Sequence, residues 1–388
     1  MMRLMPKTTR TSYKGVIDAD GHINEPHDLW ERYIDPQFRD RAIHIGTDPD
    51  GSERLYIDGK PSRYFDAEIL ARGRSMGSTF EERQARAKAP YKDSIPFGGN
   101  NPQERLQLLD MEGLDKALIY PTLSLEWETE VEDPELALAY CRAYNRWVVD
   151  FCADSHGRLA PIAHIALVDG RAAAQELERA AKDGCKGVFV APYTITDKAH
   201  AHPDHDPFWA AAQALDLPVA IHPVAEPPKR RVYQRFREMA KWGEWWYDLL
   251  GGQGPQQAFL ALFQYGLFDR FPHVKVVMLE SGAGWIGYML DRMDAAWETA
   301  LGKSVPLKER PSFYFQRQCW ISADPDEKAL AYIIEYVGKD KFFWATDYPH
   351  DDHTSGYIAA LENLVAQLSE PARRGILGEN VARVYNLN

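Results

Sequence analysis

Eight times along this chain a short apolar run rich in Val, Ile and Phe gives way to a longer segment with helical periodicity. The runs are GVIDADGHI from Gly15, KALIYPT from Lys116, LAPIAHIAL from Leu159, CKGVFVAPY from Cys185, LPVAIHPV from Leu217, HVKVVMLES from His273, FYFQRQCWISA from Phe313 and KFFWATDYP from Lys341. Helical segments separate them, among them PELALAYCRAYNRWVVDFCADS and RAAAQELERAAKDG, whose Gly184 stands where a helix stop belongs. A run that is apolar on both faces suits a parallel strand covered on both sides, and eight strand–helix units close naturally into a ring. The expected fold class is therefore α/β, a (β/α)8 TIM barrel with long insertions after strands 1 and 5. An open doubly wound sheet satisfies the same alternation, but the Gly-rich dinucleotide fingerprint is absent. The closing GENVARVYNLN reads as a last short helix.

At 388 residues, length alone suggests two or three domains, but one barrel with insertions accounts for all of it. Residues 1–14, with four basic residues and no acidic one, read as a flexible tail, and 15–388 as a single barrel domain. The lid-like insertions span 24–101 and 225–255. The first holds RLYIDGK, a hairpin pattern; the second carries Arg230, Arg231 and Arg235 and the aromatic stretch from Trp242 to Tyr247. Both follow strands, so both belong over the C-terminal mouth, where active sites of this fold form. Each reads equally as a substrate wall or as a contact between subunits.

A net charge of −12, from 45 Lys+Arg against 57 Asp+Glu, argues against broad nucleic-acid binding. No apolar run reaches transmembrane length, and the N-terminus lacks the apolar stretch of a secretory signal. Cys141, Cys152, Cys185 and Cys319 form no C-x-x-C pair and read as free thiols in a reducing cytoplasm. The expected partners are a small-molecule substrate and a second copy of the chain, with no nucleic acid and no membrane.

Ionisable residues gather where the apolar runs stop. The first run ends in Asp20-Gly21-His22, followed by Glu25; the fifth ends at His222, the sixth at Glu280, and the eighth at Asp347, followed by His350 and His353. A side-chain period of two sends Asp20 and His22 to one side, and strand eight of a ring adjoins strand one. Two histidines and two carboxylates make a complete first shell for a divalent ion. Charges at the top of a dry barrel are costly unless paired or metal-bound, and no Lys or Arg stands at the neighbouring strand ends. Asp18 would point with Asp20, two positions deeper, to orient a ligand or pair with a buried base. His164 lies too far before its strand end and reads as a core histidine.

VIDADGHINEPHDLW, VAIHPV, MLESGAGWIG, FWATDYPH and the terminal GENVARVYNL together resemble the amidohydrolase-related barrels, the branch with aminocarboxymuconate semialdehyde and resorcylate decarboxylases. The resemblance runs from Val16 almost to the C-terminus. It implies a metal-dependent, hydrolase-like barrel in which Asp20, His22, His222 and Asp347 hold a divalent Zn, Mn or Fe ion. Those decarboxylases carry a histidine after strand six where this chain has Glu280, which can serve as a general base or bind metal directly. Glu25 and Glu280 together could turn a one-ion site into a carboxylate-bridged two-ion site; a loop or capping role for Glu25 is the equal alternative. His350 is a further ligand, a proton relay or a plain loop residue. Lys186 opens its strand instead of ending it, against a carbamylated bridging lysine.

The reading is a metal-dependent hydrolase or decarboxylase acting on a small carboxylate-bearing, cyclic or aromatic substrate, with Glu280 and His350 as catalytic candidates. Arg230, Arg231 or Arg235 would hold the substrate carboxylate. The alternatives are a dinuclear iron or manganese oxygenase on the same barrel and a non-catalytic metal-binding partner subunit.

Overall fold

The computed structural model describes residues 8–227, 252–351 and 354–387. Eight parallel strands form its centre: β1 (Ile17–Ile23), β5 (Lys116–Pro121), β6 (Leu159–His164), β7 (Gly187–Val190), β8 (Pro218–Ile221), β9 (Lys275–Met278), β10 (Cys319–Ala323) and β11 (Phe342–Trp344). They neighbour one another in chain order. The ring closes through two backbone hydrogen bonds, Asp347 N–H to Asp20 O (3.0 Å) and His22 N–H to Tyr348 O (2.9 Å). This is the TIM barrel that the eightfold alternation predicts.

Apart from Lys116 and Lys275 at their starts the eight strands are buried, and each divides its residues between two layers. Ala19, Tyr120, Ile162, Phe189, Ala220, Val277 and Phe343 fill the inside of the ring, with Val381 of the closing helix Asn380–Val384 and Tyr385 just after it beneath them. Ala117, Ala163, Val188, Ile221, Met278, Ile321 and Trp344 face the surrounding helices. The helix Gly170–Asp183 stops at Gly184 (φ +120°), as its sequence predicts.

Two local expectations give way. The seventh run does not begin as strand: Pro311–Gln318 is a helix, and only Cys319–Ala323 is β10. Pro311 sits in its first turn and Tyr314, Phe315 and Gln318 are buried on one side, a pattern that a continuous aromatic run conceals. On β1 the pairing to β5 slips between Asp18 and Gly21. Ile17 and Ala19 join the inner layer before the bulge, whereas Asp20 and His22 face the mouth after it. Asp18 therefore does not point with Asp20. Its carboxylate accepts bonds from Thr346 N–H (3.0 Å) and Thr346 Oγ1 (2.7 Å), beside Asp347. A Cβ at Gly21 would lie 2.7 Å from that carboxylate, so the bulge requires glycine.

The first insertion is folded. β2 (His44–Thr47), β3 (Glu53–Ile57) and β4 (Lys60–Asp66) form an antiparallel sheet, the last two joined at Asp58-Gly59, both at positive φ. Helices including Ala67–Arg72 and Phe80–Ala87 follow. The end of the expected tail is anchored: Thr11 N–H donates to Glu112 O (2.8 Å) and Ser12 N–H to the Glu362 carboxylate (2.6 Å). In the second insertion Arg230, Arg231, Arg235, Trp242, Trp245, Trp246 and Tyr247 lie outside the described residues, as does His353. No described helix is long and apolar enough to cross a membrane.

Candidate metal centre

Asp20, His22, His222 and Glu280 offer ligand atoms that all lie within 4.8 Å of one another, and so do His22, Glu280, Asp347 and His350. His22 and His222 are fully buried. His22 Nδ1 lies 2.5 Å from Pro121 O and His222 Nδ1 2.6 Å from Pro223 O, so each ring spends its N–H on a backbone carbonyl. That tautomer leaves the Nε2 lone pairs pointing inward, and the two Nε2 atoms stand 3.3 Å apart. Two bare lone pairs at that distance repel unless a positive centre lies between them. Asp20, whose two buried oxygens accept no hydrogen bond among the described residues, stands 3.3 Å from His22 Nε2 and 3.5 Å from His222 Nε2. Asp347 Oδ1 is 3.1 Å from His22 Nε2, and Glu280 Oε2 is 3.1 Å from His222 Nε2. Inward lone pairs ringed by carboxylates fit a divalent cation, and a carboxylate-rich shell with two histidines suits Mn or Fe as well as Zn.

The same charges set the proton equilibria. Burial acts to lower the His22 pKa, but Asp347 and Asp20 outweigh it and hold it well above the ordinary imidazole value. Burial acts to raise the Asp20 pKa, and His222 and His22 bring it below its usual value. Asp347 is held well below the carboxylate range, His350 and His22 overcoming burial. The pocket attracts positive charge, as a proton or as a metal ion.

His222 lies two positions beyond Ala220 and keeps its inward register, whereas Asp347 stands past the end of its strand. Glu280 does not follow this rule. Val277 and Leu279 face inward, so alternation would send Glu280 toward the helices. A left-handed backbone at Glu280 (φ +43°) ends that register and brings the side chain to the mouth. Asp347 is left-handed too (φ +53°), and each such residue costs about 1–3 kcal/mol unless its surroundings fix it. The Glu280 side chain, 19% exposed against 0–4% for Asp20, His22, His222 and Asp347, forms the open edge of the cluster.

His350 belongs to the site: its Nδ1 is 3.0 Å from Asp347 Oδ1 and its Nε2 is 3.0 Å from Thr122 Oγ1. Its ring lies 4.1 Å from that of His22. Glu25 is not brought to the cluster. Its fully buried carboxylate accepts the N–H groups of Thr122 (3.0 Å), Leu123 (2.8 Å) and Ser124 (2.8 Å), the turn after β5. These are the contacts of the loop role weighed for Glu25, and among the described residues it stands in neither ligand group with Glu280. His164 is a satisfied core histidine, with Nε2 2.7 Å from Glu128 and Nδ1 3.1 Å from Ser124 Oγ.

Sequence reasoning does not reach Thr122 or Arg105. The Arg105 guanidinium is buried behind the site, donating to the carbonyls of His22 and Gly98. The available signal was its register: Arg105 and Glu112 share the buried face of helix Pro102–Glu112 with Leu108 and Leu109. A charge on an apolar stripe asks for a buried partner.

Residues 17–387 match the family model described as amidohydrolase. Among curated proteins, gamma-resorcylate decarboxylase of Rhizobium radiobacter is 28% identical over 305 residues, covering 73% of this chain and 86% of the relative. The fold matches an amidohydrolase of Mycobacterium avium subsp. paratuberculosis K-10, with TM-score 0.79 at 20% identity, over 96% of this chain and 99% of that one. It also matches a dihydroxybenzoic acid decarboxylase of Polaromonas sp. JS666, solved with bound manganese and the inhibitor 2-nitroresorcinol. There the TM-score is 0.65 at 20% identity, over 97% and 98% of the two chains.

Proposed function

The chain belongs to the amidohydrolase family, and on that premise we propose that it is a metal-dependent carboxy-lyase that removes a carboxylate from a small aromatic ring. The observation that carries this reading is the pair of facing Nε2 atoms, His22 and His222, 3.3 Å apart among Asp20, Asp347 and Glu280. Asp20, His22, His222 and Asp347 would hold one divalent cation, with Glu280 beside it. Bound there, such an ion supplies Lewis acidity toward a substrate oxygen. The resorcylate relative supports decarboxylation over hydrolysis, and the Polaromonas structure supports manganese.

The proton is the work of this chain's own residues. Decarboxylation of an aromatic acid puts a proton on the ring carbon that bears the carboxylate. The C–C bond then breaks, its electron pair returns to the ring and CO2 leaves. Glu280, on the open edge of the cluster, would give that proton. His350, held between Thr122 and Asp347, is the second proton-bearing group within reach of the cluster. Buried free cysteines support a cytoplasmic setting. Exposed Tyr288, Tyr332 and Tyr336 on two packed helices support a homodimer.

The test is direct. Purified protein given Mn2+ is offered hydroxylated benzoates, 2,6-dihydroxybenzoate first, and substrate loss and CO2 release are followed. Metal-dependent CO2 release is expected. A metal-replete protein that releases no CO2 from any of them but hydrolyses amides or lactones would overturn the reading.

A further inference from the structure

β11 ends at Trp344, three residues short of Asp347. Asp347 therefore stands on loop backbone in a left-handed conformation, and other parts of the molecule must hold it there. On its upstream side the barrel does so, through Asp18 to Thr346 and through the closing bond to Asp20 O. On its downstream side the first insertion does so. Met76 N–H donates to Pro349 O (3.0 Å). Arg83 Nη1 lies 2.8 Å from Asp351 Oδ2, and Arg72 Nε 3.2 Å from Asp351 Oδ1, so each oxygen of one carboxylate has its own guanidinium. The three side chains are only 13–18% exposed, which limits solvent screening of the pairs.

Between the two arginines the chain turns past Gly73 and Gly77. A Cβ at Gly73 would lie 2.5 Å from Thr122 Cγ2, and one at Gly77 (φ +68°) 2.6 Å from Ser355 Cβ. The absence of side chains lets this turn lie against the strand-eight loop and against Thr122, the partner of His350. Contacts with the loop thus occur at Pro349, Asp351 and Ser355, one after another.

From this we infer that the first insertion tunes metal affinity from a distance: Arg72 and Arg83 clasp Asp351 and thereby hold Asp347 in ligating position. The three are positioning residues, and the inference rests on the reading of Asp347 as a metal ligand. Groups hydrogen-bonded to a metal ligand typically alter metal affinity by 10–100-fold, and this clasp, four residues along from Asp347, should act at the low end of that range.

Mn2+ titration of the full chain tests it, by calorimetry or by the paramagnetic resonance signal of free Mn2+, with melting of the metal-free proteins alongside. Asp351→Asn is expected to weaken Mn2+ binding about tenfold, with metal-free melting close to wild type. Arg72→Gln and Arg83→Gln should each weaken it less, and Arg72→Lys and Arg83→Lys should recover part of the loss. Affinities within twofold of wild type in all these variants would overturn the inference. Should Asp351→Asn itself melt early, recovery by lysine over glutamine at Arg72 and Arg83 supports the clasp, and no recovery overturns it. A wild-type protein that binds no Mn2+ would overturn the metal reading and the clasp together, whereas Mn2+ binding without CO2 release would leave the clasp to be judged on affinity alone.

Discussion

Glu25 is where a ligand and a loop anchor are most sharply distinguished. Glu25→Ala strips three buried backbone N–H groups of their acceptor, at about 1–3 kcal/mol each when left alone. Part of that returns. Burial pushes the Glu25 pKa up to about 7 against the three N–H donors, so removing the acid relieves its own desolvation, and water can enter the vacated space. A net loss of about 3–5 kcal/mol remains, at the upper end for a single substitution. Glu25→Gln keeps one oxygen. Placed where Oε2 stands, it can accept from Thr122 and Leu123, leaving Ser124 N–H facing an NH2 group, so the cost is about 1–3 kcal/mol. The expected order of stability is wild type, Gln, Ala, read by denaturant unfolding of metal-free protein. Mn2+ stoichiometry should be unchanged in both variants. An alanine variant as stable as wild type that has lost its metal would refute the reasoning and make Glu25 a ligand after all.

Three further outcomes follow from the same geometry. Metal binding requires neutral His22, whose pKa the neighbouring carboxylates raise well above its ordinary value, so apparent Mn2+ affinity should fall as pH falls, with proton release on binding; calorimetry in buffers of different ionisation enthalpy reads both. Glu280→Gln should retain Mn2+ within about tenfold while CO2 release drops on the order of 100-fold or more; unchanged turnover would remove Glu280 from proton transfer. Glu112, buried with Tyr357 on its carboxylate, has its pKa pushed up to about 7 from 4.5. The folded state therefore holds its proton longer than the unfolded one, and wild-type stability relative to Glu112→Gln should fall by about 3 kcal/mol as pH rises from 4.5 to 7. Parallel unfolding curves for the two proteins across that range would exclude this.

The barrel was legible because its signal is redundant: eight runs, each apolar on both faces, each followed by a helix. The metal residues were legible because strand ends in a ring share one rim, which needs only strand order and a period of two. What escaped depends on single backbone residues. Plain alternation puts Asp18 on the side of Asp20 because it counts no bulge, and Gly21 is the one mark of the extra residue that IDADGHI carries. Glu280 was found by position, although its own parity points away from the site and its left-handed backbone brings it back. Glu25 resisted assignment because its partners are backbone amides almost a hundred residues later, which leave no side-chain trace. The false start of strand seven shows that a run of aromatics reads the same way in either conformation.

The seam of the ring has a consequence for how binding and closure are coupled. β1 and the loop after β11 are joined by two hydrogen bonds at Asp20, His22, Asp347 and Tyr348. Three of those four residues are among the ones assigned to the ion, so the ligand set is complete only while this seam is closed. A bound ion would then favour the closed ring over every form in which that seam has parted.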